Sequence, residues 1–203
     1  MPRRSQQDRS RATRATLVGT ARELFAQRGY AHVPAEEIVA AAGVTRGALY
    51  HHFGDKQGLF RAVFEQLAAE VTAEITEAAA GATEPTAGIV LGLGRYLDIC
   101  RRPEVARIVL TDAPAVLGWQ TWREIEAQHG LGVIVASLES AARDGLPLPA
   151  PAPAPTQVLA QIVLSAVIEA ALLIAHSDDA EATRADAERA LLALLSGMLR
   201  RPR

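Results

Sequence analysis

Gly43 lies between two short helical patterns, and this arrangement restricts the possible folds more than any other feature of the chain. Residues 34–42 are typical of a short helix, with Pro34 in the first turn, where a missing amide hydrogen is harmless. Gly43 can adopt a positive φ without steric cost, so the chain can turn sharply there. Thr45 is then placed to cap a second helix with its hydroxyl. The sequence therefore predicts a helix-turn-helix over about residues 34–53.

The second helix of this pair has an apolar face and a polar face. Leu49 and Phe53 lie four residues apart with Val44 nearby, and Ile38 is the obvious partner on the preceding helix. The opposite face mixes hydrogen-bonding side chains with small residues. That mixture suits a helix that lies in the major groove of duplex DNA, with its first residues near base edges. The residues assigned to DNA on this face are Thr45, Arg46, Gly47, Ala48, Tyr50, His51 and His52.

Lys56 provides a second argument for DNA. It follows Asp55, which has the position of an N-cap for a further helix. A cation at this end opposes the helix dipole by roughly 0.3 kcal/mol when it is exposed. A bound phosphate would reverse that sign, because the helix amides and the ammonium would hold it together. Lys56 is therefore added to the DNA-binding residues as a phosphate contact, and a solvated lysine is the alternative.

Three stretches of the first 60 residues carry a family resemblance. They are Thr20-Ala-Arg-Glu-Leu-Phe-Ala-Gln-Arg-Gly-Tyr30, Glu37-Ile38 and residues 42–56. Together they resemble the N-terminal domain of the tetracycline-repressor (TetR) family of bacterial transcriptional regulators. The resemblance implies that residues 45–52 are the recognition helix.

The resemblance also implies roles for single residues. Tyr50 and His52 are expected near the sugar-phosphate backbone, and Lys56 at a phosphate. The chain departs from the family's usual pattern at Val33 and Pro34, where a threonine or serine normally precedes the second helix.

Composition indicates an all-α protein. The chain has 203 residues, of which 49% are apolar and only 4% aromatic, and alternating β-branched residues are rare. Cys100 is the single cysteine, which excludes an intramolecular disulfide framework and a structural zinc site held by paired thiolates. No apolar run follows the N-terminus, so no secretory signal is expected. We expect a cytoplasmic protein without metal or cofactor.

Charge is divided unevenly along the chain. Residues 1–61 carry ten basic and five acidic residues, and residues 62–203 carry eleven and eighteen. The basic part coincides with the predicted DNA-binding part. Its first residues form an arginine-rich arm, which could attract phosphates or only keep the terminus soluble. The arm's arginines are Arg3, Arg4, Arg9, Arg11 and Arg14.

Apolar spacing and breakers predict the remaining helices. The first helix is expected over 15–28 and a fourth over about 56–79. Another is expected over 89–101, and a short one starts at Pro103. A long helix should run from the Asp112-Ala-Pro114 signal to about 142 with bends at Gly130 and Gly132, followed by helices over 158–175 and 180–200. The proline-rich residues 146–155 are a connector. We predict a helix-turn-helix DNA-binding domain (1–60) and a C-terminal helical ligand-binding and dimerisation domain (61–203), with the 56–79 helix shared between them.

Residues 158–175 are apolar on nearly every side. They are slightly short for a membrane span, and Glu169 would be expensive in lipid, so we expect burial in protein.

A helix-turn-helix that binds a palindrome needs two copies one DNA turn apart. We therefore predict that the last two helices form a four-helix dimer interface, with a purely intrachain core as the alternative. The expected interface residues are Val158, Ile162, Ala166, Ala170, Leu173, Leu191, Leu194, Leu195 and Met198.

The family resemblance implies release of DNA when a small molecule fills a cavity in the C-terminal helices. Aromatic faces with a few polar groups are typical of such a pocket, although for any single one of these residues a place in the core is the favoured alternative. The candidate pocket residues are Phe64, Tyr96, Cys100, Asp112, Trp119, Trp122 and Glu169. The predicted function is a ligand-responsive regulator, a repressor on the family precedent, that binds a palindromic operator as a homodimer and is released by an apolar or aromatic inducer.

Two other classes of function fit the sequence less well than DNA binding. No Ser-His-Asp, phosphate-loop or HExxH pattern is present, and the adjacent His51 and His52 diverge by about 100° on a helix, so an enzyme is not expected. The other class is a protein-interaction module that uses the helix-turn-helix scaffold without binding DNA. A duplex-binding assay separates the two, because a steep loss of affinity with salt supports DNA binding and a flat response does not. The operator, the inducer and the regulated genes are not encoded in any recognisable pattern.

Overall fold

The computed structural model describes residues 6–143 and 156–198, and every regular element among them is helical. Helix α1 is long and is followed by a short 3-10 turn and two short helices. The helices are α1 (Gln6–Arg28), α2 (Ala35–Ala41), α3 (Arg46–Phe53), α4 (Lys56–Ala80), α5 (Pro85–Cys100), α6 (Pro103–Val105), a π-helix (Ala106–Asp112), α7 (Ala113–Leu117), α8 (Trp119–Arg143), α9 (Thr156–Ala175) and α10 (Ala180–Met198).

The start of α1 differs from the prediction. The helix begins at Gln6 rather than at residue 15, so Arg9, Arg11 and Arg14 lie in a helix and not in an irregular arm. The physical reason is local, because residues 6–14 contain neither glycine nor proline and include good helix formers. Arg3 and Arg4 lie outside the described residues.

The predicted helix-turn-helix is confirmed in its local geometry. Gly43 has φ of 65°, the left-handed conformation that the turn requires. The Thr45 hydroxyl accepts a hydrogen bond from the Ala48 amide at 3.2 Å and so caps α3. Pro34 is the residue before α2 rather than part of its first turn. The Asp55 carboxylate accepts from the Gly58 amide at 2.7 Å, which caps α4 as expected.

The segment from 103 to 143 was predicted incorrectly. A single helix from the Asp112 signal to residue 142 was expected, but α7 ends at Leu117, and Gly118, with φ of 81°, separates it from α8. The reason is that this glycine adopts a conformation a helix cannot contain. Asp112 makes no capping bond and ends a π-helix, a rare and wide turn that is frequent at functional positions. Gly130 and Gly132 lie within α8, and residues 146–155 fall outside the described part.

The chain divides into two compact units. The first contains residues up to 67 together with 103–122. Its core includes Phe25, whose ring lies 5.6 Å from that of Tyr30 and 5.3 Å from that of Phe60. The other fully buried core residues of the three-helix region include Leu17, Ala21, Ile38, Leu49 and Leu59. This apolar interior fixes α3 against α1, α2 and α4, while the predicted domain boundary at residue 60 stays a prediction.

The second unit contains residues 68–102 and 123–203. Its core is formed where α5, α9 and α10 pack together, and its buried members are Leu93, Leu97, Val163, Ala170, Ile174, Leu191 and Leu195. Helix α9 is also long and apolar enough to cross a membrane by length and composition. The core helix of a helical protein has the same properties, and seven residues of α9 are buried.

An ion-pair network ties α4 to α5 within the second unit. The Glu74 carboxylate accepts two hydrogen bonds of 2.7 Å from Arg102 and is also bound by Arg95. The bonds from Arg102 are the main cause that lowers the Glu74 pKa to about 2, against an ordinary value of 4.5. The network therefore stabilises the fold above the ordinary pKa and loses its contribution as the pH falls towards 2.

We expect Glu74→Gln to reduce the free energy of unfolding at pH 7 by about 1 kcal/mol, a value kept low because the network is partly exposed and screened. The difference from wild type should shrink between pH 4.5 and pH 2, because the native carboxylate itself becomes protonated in that interval. Urea unfolding of both proteins between pH 2 and pH 7 measures this difference in the free energy of unfolding. Glu77→Gln, an exposed change on the same helix, is the control, and an equal loss in both variants would contradict the expectation.

Candidate nucleic-acid interface

Helix α3 presents the predicted DNA-binding face to solvent. Leu49 is fully buried and fixes the rotation of the helix. Thr45, Arg46 and Gly47 at the start of the helix are exposed, and Tyr50 is 43% exposed. On this face His51 is also exposed, and Ala48 and His52 are half-buried. The side chains that sequence reasoning assigned to DNA therefore share one accessible surface.

Arg46 is held in place by neighbours on this surface. Its guanidinium donates to the Tyr50 hydroxyl at 3.0 Å and lies 5.3 Å from the centre of the same ring. It also forms an ion pair of 3.0 Å with Glu36, from the first turn of α2. Sequence reasoning missed Glu36, although an acid in the turn of the helix that precedes a recognition helix is a signal that could have been noted. A phosphate or base that binds Arg46 must compete with this carboxylate.

The two adjacent histidines contact each other on the surface of α3. Their rings lie 5.1 Å apart at 66°, an edge-to-face contact between neighbours on α3. Among the described residues no group of three or more His, Cys, Asp or Glu side chains is arranged to hold a metal ion. The available chemistry of His51 and His52 at this surface is therefore hydrogen bonding.

Lys56 is neither a solvated lysine nor simply a free cation at the start of α4. Its ammonium donates to the carbonyl oxygens of Tyr30 at 2.9 Å and Val33 at 3.1 Å, and it lies 3.8 Å from the centre of the Tyr30 ring. Burial lowers the pKa of Lys56, and Glu36 partly opposes this. An ammonium has three N–H donors, so one remains for a phosphate. Lys56 thus fixes the turn between α1 and α2 whatever else it binds.

The same turn is held from another side by Asp112. The Asp112 carboxylate accepts a hydrogen bond of 2.8 Å from the Tyr30 amide, next to Gly29, whose φ is 77°. Val33 is fully buried. This burial explains the departure from the family's usual hydroxyl at that position, because the side chain here fills the core instead of reaching outward.

Three of the predicted ligand-pocket residues lie in the second unit. Tyr96 and Cys100, four residues apart on α5, hydrogen-bond to each other, and Glu126 from α8 acts electrostatically on both. Burial raises the pKa of Cys100 to about 12 and that of Tyr96 well above its usual value. Cys100 is therefore an unreactive thiol at neutral pH. Glu169 is exposed, away from such an interior.

Glu126 was missed by sequence reasoning. Its carboxyl is half-buried, and burial raises its pKa to about 7, an effect that Arg123 opposes. The signal was present, since the residue follows Trp122 by one helical turn on the same face of α8. A carboxyl that is partly neutral at physiological pH is a useful polar group for a ligand, because it can either donate or accept.

The other four candidate pocket residues belong to the first unit. Phe64 and Trp122 are fully buried, and Trp119 is 58% exposed. The rings of Trp119 and Trp122 are in contact, with centroids 4.8 Å apart. Trp122 Nε1 is buried without a hydrogen-bond partner among the described residues, and Asp112 is engaged with the Tyr30 amide.

The predicted dimer residues fall into two groups. Val158, Ile162 and Leu173 on α9 and Leu194 on α10 are between 49% and 59% exposed. In contrast, the side chains of Ala170, Leu191 and Leu195 are buried in the chain's own core, and Ala166 packs against it. The side chain of Met198 lies outside the described part of the structure. Among the predicted residues whose side chains the structure describes, the exposed group offers the most surface to another molecule.

This fold and this surface define a class of protein, a DNA-binding transcriptional regulator with a helix-turn-helix. The family model "Bacterial regulatory proteins, tetR family" matches residues 17–63. The model "Tetracyclin repressor-like, C-terminal domain" matches residues 86–198, more than half of the chain. The chain belongs to the TetR family.

Individual proteins agree with this assignment. A TetR-family transcriptional regulator from Pectobacterium atrosepticum has a crystal structure that is similar with a TM-score of 0.83 and 38% identity, covering 98% of this chain and 100% of that one. The Tn10 TetC protein of Escherichia coli is 30% identical over 64% of this chain and 66% of its own length. The repressor AcnR of Corynebacterium glutamicum is 32% identical over 52% and 55%. The chain thus spans between about half and two thirds of these two curated relatives.

We expect Lys56→Met to lower both the stability and the DNA affinity of the protein. Two carbonyls lose a charged donor, so the free energy of unfolding should fall by about 1–2 kcal/mol. Loss of a phosphate contact should also reduce the salt slope of binding by about one unit per protomer. Arg61→Met removes an exposed cation from the same helix and serves as the control. Unchanged stability with reduced affinity would contradict the role in the turn.

Glu36→Gln should increase affinity for a mixed-sequence 30-base-pair duplex. The exposed pair that holds Arg46 is worth up to about 1 kcal/mol, so the gain should be roughly 2- to 5-fold. Glu37→Gln is a matched control, because it removes the same charge from the same turn but breaks a pair with Arg28. Fluorescence anisotropy at fixed salt compares the two. An equal gain in both variants would mean that only the net charge matters.

Proposed function

We propose that this protein is a ligand-responsive repressor that binds a palindromic operator as a homodimer. The observation that carries the proposal is the construction of α3. One residue of this helix, Leu49, is fully buried, while its capped N-terminal turn and the side chains of Arg46 and Tyr50 face solvent. A rigidly seated helix with an exposed polar N-terminus is what major-groove recognition requires.

The residues of this surface have separable roles in the proposal. Arg46 reaches a base edge after it leaves Glu36, because its fork of donors matches the acceptors of guanine. Gly47 and Ala48 permit close approach of the helix. Tyr50 and His52 contact the sugar-phosphate backbone with Thr45 and His51 beside them, and Lys56 offers its remaining N–H to a phosphate.

Dimerisation is proposed through the exposed apolar residues of the last two helices. Val158, Ile162 and Leu173 recur along one stripe of α9, and each has about half of its surface in water. Such a stripe is unfavourable in a monomer and is matched by its own copy across a two-fold axis. Leu194 adds an exposed apolar side chain from α10 to this surface. The interface is therefore narrower than the nine residues suggested by sequence.

The effector site is proposed in the helical second unit, around Tyr96 and Glu126. This region combines an aromatic ring, a buried thiol and a carboxyl whose pKa lies near 7. An apolar or aromatic molecule with one polar group suits such surroundings. We place the protein in the cytoplasm, where it meets both its DNA and small metabolites.

Release from DNA is proposed to be a population shift. Helix α4 begins at Lys56, which holds the turn beside the recognition domain, and continues to Ala80 in the second unit. A ligand that binds better when the two α4 helices of a dimer are spread would move the recognition helices from their one-turn spacing. The coupling is reciprocal, so equal ligand affinity for free and operator-bound protein would contradict it.

Selection of binding sites from a pool of randomised duplexes tests the DNA function. We expect enrichment of a palindrome whose half-site centres lie about 10 base pairs apart, with affinity that falls steeply as salt rises. Arg46→Ala should change the preferred base at one position of each half-site, whereas Arg189→Ala, in an exposed pair on α10, should not. Failure to enrich any palindrome would contradict the proposal.

A further inference from the structure

The N-terminal part of α1 continues the buried stripe of that helix with arginines. Phe25, Ala21 and Val18 lie three or four residues apart and are at most 3% exposed. The next positions on the same stripe are Arg14 and Arg11, both exposed. Residues 6–14 extend the helix by ~13 Å. The arginines thus face the side of the helix on which the rest of the helix-turn-helix domain packs.

Arg14 lies where the stripe reaches the recognition helix. Its guanidinium lies 5.3 Å from the centre of the Phe53 ring, and Phe53 is the last residue of the recognition helix α3. A guanidinium stacked on a ring keeps its edge donors free for other partners. The cationic stripe therefore begins beside the end of α3 and runs away from the core along α1.

The charges of these two arginines are not neutralised by the protein in the part described. Further along the same helix, Arg22 pairs with Glu104 and Arg28 pairs with Glu37. Neither Arg11 nor Arg14 has a carboxylate within ion-pair distance among the described residues. Two neighbouring exposed cations without a carboxylate partner are typical of a surface that binds an anionic molecule.

We propose that α1 is a second DNA-contacting element, in which Arg11 and Arg14 bind phosphates of the duplex that flanks the site read by α3. This inference rests on the proposed function and deepens it. Duplex DNA is the occupant because the stripe adjoins the recognition helix, so the same bound duplex supplies the anions. The contacts carry no base information and widen the protected site on its outer sides.

The test compares Arg11→Ala and the double variant R11A/R14A with wild type and with the control Arg189→Ala. The probes are the duplex selected by wild type from the randomised pool, once with ten flanking base pairs on each side and once trimmed to the palindrome. On the long duplex Arg11→Ala should lower the salt slope by about one unit per protomer and the double variant by about two. On the trimmed duplex the variants and wild type should converge. Hydroxyl-radical footprints should shorten at both outer edges.

Arg11→Ala keeps the test falsifiable, because Arg11 makes no ion pair or ring contact with another described residue, whereas Arg14 packs on Phe53. Equal slopes for wild type and Arg11→Ala on the long duplex, with equal melting temperatures, would overturn the inference. Losses that are the same on long and trimmed duplexes would also overturn it, because the contacts would then not be in the flanks. If wild type selects no duplex, the proposed function itself fails, and this inference fails with it.

Discussion

The ammonium of Lys56 on the carbonyl oxygens of Tyr30 and Val33 is the interaction on which the recognition surface depends. Within the turn between α1 and α2 the Tyr30 carbonyl accepts a long bond of 3.4 Å from the Val33 amide, and Lys56 adds a charged donor to this carbonyl and to that of Val33. Lys56 supplies it from the first residue of α4. The Tyr30 ring packs on Phe60 of the same helix, with centroids 5.1 Å apart. The position of α2, and hence of α3, follows from this junction.

Local signals in the sequence were sufficient for the recognition element. The positive φ of Gly43, the Thr45 cap and the burial of Leu49 each have a cause within a few residues, and all three were predictable. The role of Lys56 in the turn was not predictable, because its carbonyl partners lie in a separate element, and the pair of Glu36 with Arg46 left only the signal of an acid early in α2. A lysine beside an N-cap looks the same in sequence whether it binds a phosphate, water or a carbonyl 23 residues away.

In the second half of the chain, too, local sequence patterns predicted the helices but not the partners of their residues. Apolar periodicity located α9 and α10, but it could not separate the residues of their intrachain core from those left exposed. Leu191 and Leu194 are both leucines of one helix, yet the first is 5% exposed and the second 58%. The break at Gly118 was missed because Asp112 and Pro114 suggested a capped helix start. Asp112 instead binds the Tyr30 amide, a distant partner that no local pattern records.

The proposed ligand response has a covalent route along the chain through the segment that holds this distant partner. The segment 103–117 is bonded to three elements of the first unit: Glu104 binds Arg22 of α1, Asp112 binds the Tyr30 amide in the turn after α1, and Val116 O accepts from Gln57 of α4 at 2.5 Å. In the chain this segment connects α5 to α8, the helices that carry Tyr96 and Glu126. In the proposed mechanism, a shift of either helix passes along the chain to this segment and its three attachments. The π-helix that ends at Asp112 gives this segment a wide turn of a kind that is frequent at functional sites.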